Sequence, residues 1–341
     1  MTVRTQLFPP SPTFTESSLP SLNFRVYIIT GATSGVGLEL AKILYSRSAI
    51  VYIAARNYSK ITSAIKEVQS ASPDSTGRLE SQCVDLSDLA SIKPAAQQFL
   101  AKEIRLDGLV LNAGVMMPPE GSKTEHRHEL QMGTNCLGGY LLSRLLEELL
   151  VKTTVVAGEG AVRVVWLAST LQMGTPKGGL VWDEVKKEPK VVKDQMENYM
   201  MSKAGNLLLA HETSQRLGSQ GIISVVSLPS WEVLEDGASA PYARTCVFHD
   251  GKWTYYVLGK CVDDMQGLMF KAPKYGAYSE LFGLLSPDIT ADNNGVLIYP
   301  WGRIGCIPDD IKVSLKNGQE GGTGLSKAFA DWCEREARQY K

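Results

Sequence analysis

Regular alternation is the feature that most constrains this chain. Between Phe24 and Leu228, short runs of β-branched and aromatic residues take turns with stretches whose apolar residues recur at helical spacing. "FRVYIIT" (24–30), "AIVYIAAR" (49–56), "RLESQCVDL" (78–86), "LDGLVLNAG" (106–114), "AVRVVWLAS" (161–169) and "GIISVVSL" (221–228) read as strands. Helical segments separate them at 35–47, 58–71, 89–104, across "LGGYLLSRLLEELLVK" and across 196–217. Strands joined through helices pair in parallel and are covered on both faces. The expected fold is therefore α/β, one doubly wound parallel sheet over residues 23–341. Residues 1–22, rich in Pro, Ser and Thr, read as an extended N-terminal arm. After Leu228 the texture loses its period until a helix at 275–286, a last strand at 295–300 and an amphipathic helix at 324–340.

Composition narrows the function classes. The chain has 341 residues, 35 basic and 36 acidic, for a net charge of −1. That balance leaves no footprint for nucleic acid or a polybasic membrane patch. No apolar run is long enough to span a bilayer. The first 24 residues carry four prolines and no apolar core, so they read as neither signal peptide nor anchor. The six cysteines are scattered without a C-x-x-C pair, as expected of reduced thiols in a cytoplasmic protein. His126 and His128 stand two apart, but no Cys or carboxylate cluster joins them, and no metal site is expected.

Two stretches carry chemistry. The first is "TGATSGVG", with Gly31, Gly35 and Gly37 between the first strand and the first helix. Glycines there let the backbone turn sharply and approach a pyrophosphate, while the helix N-terminus offers free N–H groups and a positive dipole end. Ser34 and Val36 belong to the same turn. The second strand ends in Ala55 and Arg56, with Lys60 four residues on. No carboxylate stands there to accept from a ribose 2′-hydroxyl; Arg56 and Lys60 instead suit a 2′-phosphate, and NADP is the expected cofactor. The second stretch is "YMMSK", where Tyr199 and Lys203, four apart, share one helical face.

In order along the chain stand G-x-x-x-G-x-G, "VDL" after the third strand, "NAG" after the fourth, an Asn in the next helix, a Ser ending the fifth strand, and Y-x-x-S-K. Together these resemble the short-chain dehydrogenase/reductase family over residues 24–228. The resemblance implies a Rossmann-type sheet with a variable C-terminal substrate lid. "TNCLGGYLL" and the long gap before Tyr199 resemble the retinol-dehydrogenase-like branch; "VYIAARN", "ELFGLLSPDIT" and "PWGRIG" resemble members from filamentous fungi. The resemblance implies that Asp85 and Leu86 lie at the adenine and that Asn112, Ala113 and Gly114 line the cofactor channel. It makes Ser169 the catalytic serine, Asn135 the holder of a water behind the lysine, and Tyr199 with Lys203 the acid/base pair, Lys203 also binding the nicotinamide ribose. A nearby ammonium favours a phenolate, and a serine hydroxyl can stabilise charge on a substrate oxygen. The expected activity is NADP-dependent interconversion of an alcohol and a ketone or aldehyde on an apolar small molecule, with a place in fungal secondary metabolism. A homo-oligomer is the one assembly expected.

Two segments depart from the family pattern. Thirty positions separate Ser169 from Tyr199, and the lysine-rich stretch between them reads as a surface insertion. After the sixth strand, Pro229 is followed by no glycine and no Thr stands where the family has one, while Trp231 is bulky. Residues 229–266 hold Trp231, Trp253, Tyr255, Tyr256 and Met265, and Met269 follows close behind. These suit either an apolar substrate pocket or a locally packed lid. The same departure keeps a second function open, a catalytically impaired relative that binds a nucleotide or a protein partner.

Overall fold

The computed structural model describes residues 9–170, 174–229, 244–249, 252–257 and 271–341. Its centre is an eight-stranded sheet. In chain order the strands and helices are β1 (Val26–Thr30), α1 (Gly35–Ser46), β2 (Ile50–Ala55), α2 (Tyr58–Ala71), β3 (Arg78–Cys83), α3 (Leu89–Leu100) and β4 (Gly108–Leu111). A helical turn at Leu130–Met132 then runs through a π-helical stretch, Gly133–Gly138, into α4 (Gly139–Ala157). Next come β5 (Val162–Leu167), the short pair β6 (Trp182–Asp183) and β7 (Glu188–Pro189), α5 (Gln195–Leu217) and β8 (Ile222–Ser227). Strands β9 (Arg244–His249) and β10 (Lys252–Val257) pair with each other. The chain closes with α6 (Pro273–Leu285), β11 (Leu297–Tyr299), β12 (Arg303–Gly305), α7 (Asp309–Leu315) and α8 (Leu325–Ala337).

The sheet order is β12-β11-β8-β5-β4-β1-β2-β3, all parallel except the β11–β12 pair. This is the doubly wound arrangement that the alternation predicts. Strands β1, β4, β5 and β8 are buried at every position, as strands covered on both faces must be. Alternation splits their side chains between two cores. Val26 and Ile28 pack with α3, α4 and α5, while Tyr27 and Ile29 pack with α1, α2 and α6. Side chains cap the helix starts: Asn57 accepts from the Lys60 N–H, Asp88 from Ala90 and Asp194 from Met196.

Several segments are more ordered than their sequence suggests. The described part of the N-terminal arm buries Leu19 and Leu22, and Leu22 donates its N–H to the Arg47 carbonyl at 2.7 Å. Its Glu16 reaches Lys274 at 2.7 Å and the Tyr278 hydroxyl at 2.9 Å on α6. The insertion before Tyr199 holds the β6–β7 hairpin and sends Leu180 into the core. His126 lies between Asp88 at 3.0 Å and the Tyr340 hydroxyl at 2.8 Å, tying the chain's end to the start of α3. Of the expected lid, Trp231, Gly237, Gly251, Gly259, Met265 and Met269 lie outside the described residues; Trp253, Tyr255 and Tyr256 belong to β10. No helix among the described residues is long and apolar enough to cross a membrane.

Candidate active site

From β1 the chain moves outward to β2 on one side, and β4 lies on the other. That reversal opens a crevice at the carboxyl ends of β1 and β4, where doubly wound folds bind ligands. The glycine turn forms one wall. Gly31 adopts φ +70° and Gly35 φ +57°, values that a side chain disfavours. A Cβ on Gly31 would lie 2.9 Å from the Ala113 Cα, and one on Gly37 would lie 2.6 Å from the Asn112 Nδ2. Those two glycines let the turn close on the β4 loop. Gly35 differs: a Cβ there would have nothing within 4 Å, so its side faces open space. The side chain of Ser34, at the helix start, makes no capping bond and is exposed.

The facing wall is held by Asn112, whose amide donates to the Thr30 carbonyl at 2.8 Å. The Thr30 hydroxyl donates to the Val110 carbonyl at 3.2 Å and accepts the Ala113 N–H at 3.0 Å, stitching β1 to β4 across the crevice. At the end of β2, Arg56 and Lys60 are exposed, and neither joins an ion pair among the described residues. Asp85 accepts from the Ser87 N–H at 2.9 Å and hydroxyl at 2.7 Å, which fixes the turn after β3. Leu86 is buried beside Gly138, where a Cβ would collide with its carbonyl.

The second cluster sits on α5. Tyr199 is half-buried and Lys203 is 3% exposed. The Lys203 ammonium lies 5.8 Å from the Tyr199 ring centroid and donates to the Leu167 carbonyl at 3.1 Å. Asn206, one turn on, donates to the same carbonyl at 2.8 Å. Burial pulls the Lys203 pKa down to about 8. Ser169 stands two residues beyond Leu167, half-buried at the carboxyl end of β5. Asn135 is held from both sides: its Oδ1 accepts the Val115 N–H at 2.7 Å, and its Nδ2 donates to the Val115 carbonyl at 3.0 Å and the Ser202 hydroxyl at 2.9 Å. It lies in the π-helical stretch, a local widening often found at functional sites. A Cβ on Gly114 would sit 3.2 Å from both Asn135 Oδ1 and Lys203 Nζ, so the β4 loop joins the two clusters.

Sequence reasoning missed Thr30, Ser202 and Asn206. A signal existed for two of them: Ser202 stands three after Tyr199 and Asn206 three after Lys203, neighbours on a helix. Thr30 gave none, because its role depends on β4 lying beside β1.

The model of the short chain dehydrogenase family matches residues 25–179. A short-chain dehydrogenase/reductase of Neocamarosporium betae is 37% identical, over 98% of this chain and 93% of its own. Another, from Phomopsis amygdali, is 38% identical over 98% and 96% of the two chains. Among solved structures, a protein of Mycobacterium paratuberculosis superposes with a TM-score of 0.62 at 22% identity, covering 96% of this chain and 98% of its own. That last likeness speaks to the fold, and the two sequence relatives speak to descent. By these matches the chain belongs to the short-chain dehydrogenases/reductases, a family of oxidoreductases.

Proposed function

We propose that the chain is an NADP-dependent oxidoreductase that interconverts an alcohol with a ketone or aldehyde on an apolar small molecule. One observation carries the reading: a half-open phenol, Tyr199, stands 5.8 Å from a buried ammonium, Lys203, beside the crevice between β1 and β4. The described residues fit a dinucleotide. The open side of Gly35 and the helix start at Ser34 leave room for a pyrophosphate against the N–H groups of Gly35, Val36 and Gly37, with Gly31 making the turn. Arg56 and Lys60, exposed and outside any described ion pair, would hold a 2′-phosphate. Asp85 and Leu86 would border the adenine, and Asn112, Ala113 and Gly114 the channel toward the nicotinamide.

When bound, the nicotinamide supplies or accepts the hydride. The protein's part is protonic and electrostatic. In reduction, the Tyr199 hydroxyl gives its proton to the substrate oxygen; in oxidation the phenolate takes it back. The Lys203 ammonium stabilises that phenolate and offers hydrogen bonds to the nicotinamide ribose. The Ser169 hydroxyl donates to the substrate oxygen as charge grows there. Asn135 braces the β4 loop against α5 through Val115 and Ser202. Residues 229–266, which hold Trp231, Trp253, Tyr255 and Tyr256, would supply the apolar side of the substrate site.

A second reading has its own support. No glycine follows Pro229 and Trp231 comes two residues later, which suits a nucleotide binder without turnover. The test is NADPH fluorescence on binding, followed by NADPH oxidation with a panel of apolar ketones and aldehydes. Binding with turnover is expected. Binding without turnover across the panel would move the assignment to the second reading, and no binding would overturn both.

A further inference from the structure

The "EHRH" stretch, residues 125–128, has no part in the proposed chemistry. Among the described residues, no three His, Cys, Asp or Glu side chains gather to hold a metal. The stretch instead forms a closed turn. The Thr124 N–H donates to the His128 carbonyl at 2.9 Å, and the Arg127 N–H to the Thr124 carbonyl at 3.0 Å. The His128 N–H donates to the Thr124 hydroxyl at 3.1 Å, and Lys123 and Glu129 bridge at the base. Arg127 takes φ +67°, which a side chain disfavours, so the surrounding bonds set the turn's shape. The turn stands between two other parts of the molecule.

On one side it meets the loop after β3. The Glu125 N–H donates to the Ser87 carbonyl at 3.2 Å, and His126 Nε2 bonds Asp88 Oδ1 at 3.0 Å. A carboxylate can only accept, so Nε2 carries the hydrogen. Behind Asp88 the loop is knit together. The Asp88 N–H donates to the Asp85 carbonyl at 3.1 Å. The Ser91 hydroxyl lies 2.9 Å from the Asp85 carbonyl and 2.8 Å from that of Asp88. Asp85 Oδ1 takes both the N–H and the hydroxyl of Ser87, which leaves its other oxygen for a ligand. A loop bonded this way moves as one piece, so Asp85 and Leu86 follow Asp88.

On its other side the turn meets the C-terminal segment. His126 Nδ1 bonds the Tyr340 hydroxyl at 2.8 Å, with the two ring centroids 4.6 Å apart. His128 meets the Trp332 ring edge-on, centroids 5.8 Å apart. Trp332 is buried on α8 and packs in the core with Phe329, Cys333 and Ala337. Lys93 on α3 adds a bond to the Lys341 carbonyl at 2.7 Å. Helix α8 is therefore seated by its own apolar packing, and it gives the turn a fixed support.

We propose that His126 is a positioning residue for the adenine end of the cofactor site: through the Tyr340–His126–Asp88 chain, the C-terminal segment holds the loop that carries Asp85 and Leu86. The inference rests on the dinucleotide reading, in which those two residues border the adenine. His126 acts through Asp88 rather than on the cofactor. A loop already held in place costs less to order when the ligand arrives, so affinity rises without a new contact. The adenine is common to NADPH and NADH, so both depend on the chain alike. Proton transfer takes place at the far end of the cofactor, beside Tyr199, so turnover of the bound cofactor does not depend on it.

Calorimetric titration of the full chain tests this with NADPH, NADH and adenosine 2′,5′-bisphosphate, which carries the adenine but no nicotinamide. His126→Ala should weaken all three by about fivefold, the loss of one hydrogen bond, while kcat at saturating NADPH stays near wild type. His126→Gln, whose amide can still donate to Asp88, should recover most of the affinity. Tyr340→Phe keeps the ring against His126 and removes only the hydroxyl; it should weaken the three by about twofold, and it decides the matter if His126→Ala does not fold. Affinities unchanged in the variants would overturn the proposal, as would a fall in kcat with affinity intact. No recovery in His126→Gln would also overturn it, by making His126 merely structural. A wild type that binds none of the three ends the dinucleotide reading and the proposal together; a wild type that binds them no better than its variants ends the proposal alone.

Discussion

The crevice between β1 and β4 and the helix face of α5 belong to one candidate site but are built by opposite means. The crevice is made by leaving side chains out. Gly31 and Gly37 bring the turn so near the β4 loop that an added Cβ would lie 2.9 Å from the Ala113 Cα or 2.6 Å from the Asn112 amide, and Gly35 keeps one side open. The α5 face is made by burying polar side chains. Lys203, Asn135, Ser202 and Asn206 are each at most 4% exposed and are held by backbone carbonyls and one another. The first construction fails through sterics, without regard to charge. The second fails through lost hydrogen bonds and altered protonation. The difference teaches where binding and turnover should separate.

The largest expected effect on the crevice side is Gly37→Ala. The new Cβ would press on the Asn112 amide and the Gly31 carbonyl. Overpacking of this kind costs about 1–3 kcal/mol, which corresponds to about a hundredfold weaker cofactor binding at the upper end. NADPH and NADH should lose equally in fluorescence titrations, and a loss confined to one would break the steric account. Arg56→Asp should do the reverse: about tenfold weaker NADPH binding with NADH little changed, because only the former carries the 2′-phosphate. Equal losses would show that Arg56 reads no phosphate. The smallest effect belongs to the α5 side. Ser202→Ala removes one of the two acceptors of the Asn135 amide. It should cost about 1 kcal/mol of stability in denaturant unfolding while cofactor affinity holds. Weakened NADPH binding there would blur the division between the two constructions.

Sequence reasoning reached the crevice more fully than the helix face. The turn's glycines and its flanking strand and helix lie within a dozen residues, so local pattern sufficed. Helix α2 is legible end to end, because its apolar positions Ile61, Ala64 and Val68 keep helical spacing behind an Asn57 cap. Tyr199 and Lys203 were legible as a pair on one face. What surrounds Lys203 was not. Leu167 and Gly114 meet it from segments far apart in the chain, and burial is a property of the assembled sheet. Strand β12 escaped for a related reason: its three residues, Arg303–Gly305, have no period and form a strand only against β11. The β6–β7 hairpin hid in a polar segment whose Leu180 gave no sign that it enters the core.

The central claim is that Tyr199 moves the proton in a carbonyl reduction whose cofactor is held elsewhere. Tyr199→Phe tests it most directly, since the ring stays and the hydroxyl goes. Single-turnover oxidation of bound NADPH by a reactive apolar ketone, set beside the NADPH dissociation constant, reads both halves at once. The account expects turnover to fall by about a thousandfold, within the range for a positioned acid/base, with the dissociation constant nearly unchanged. Near-normal turnover in Tyr199→Phe would contradict it.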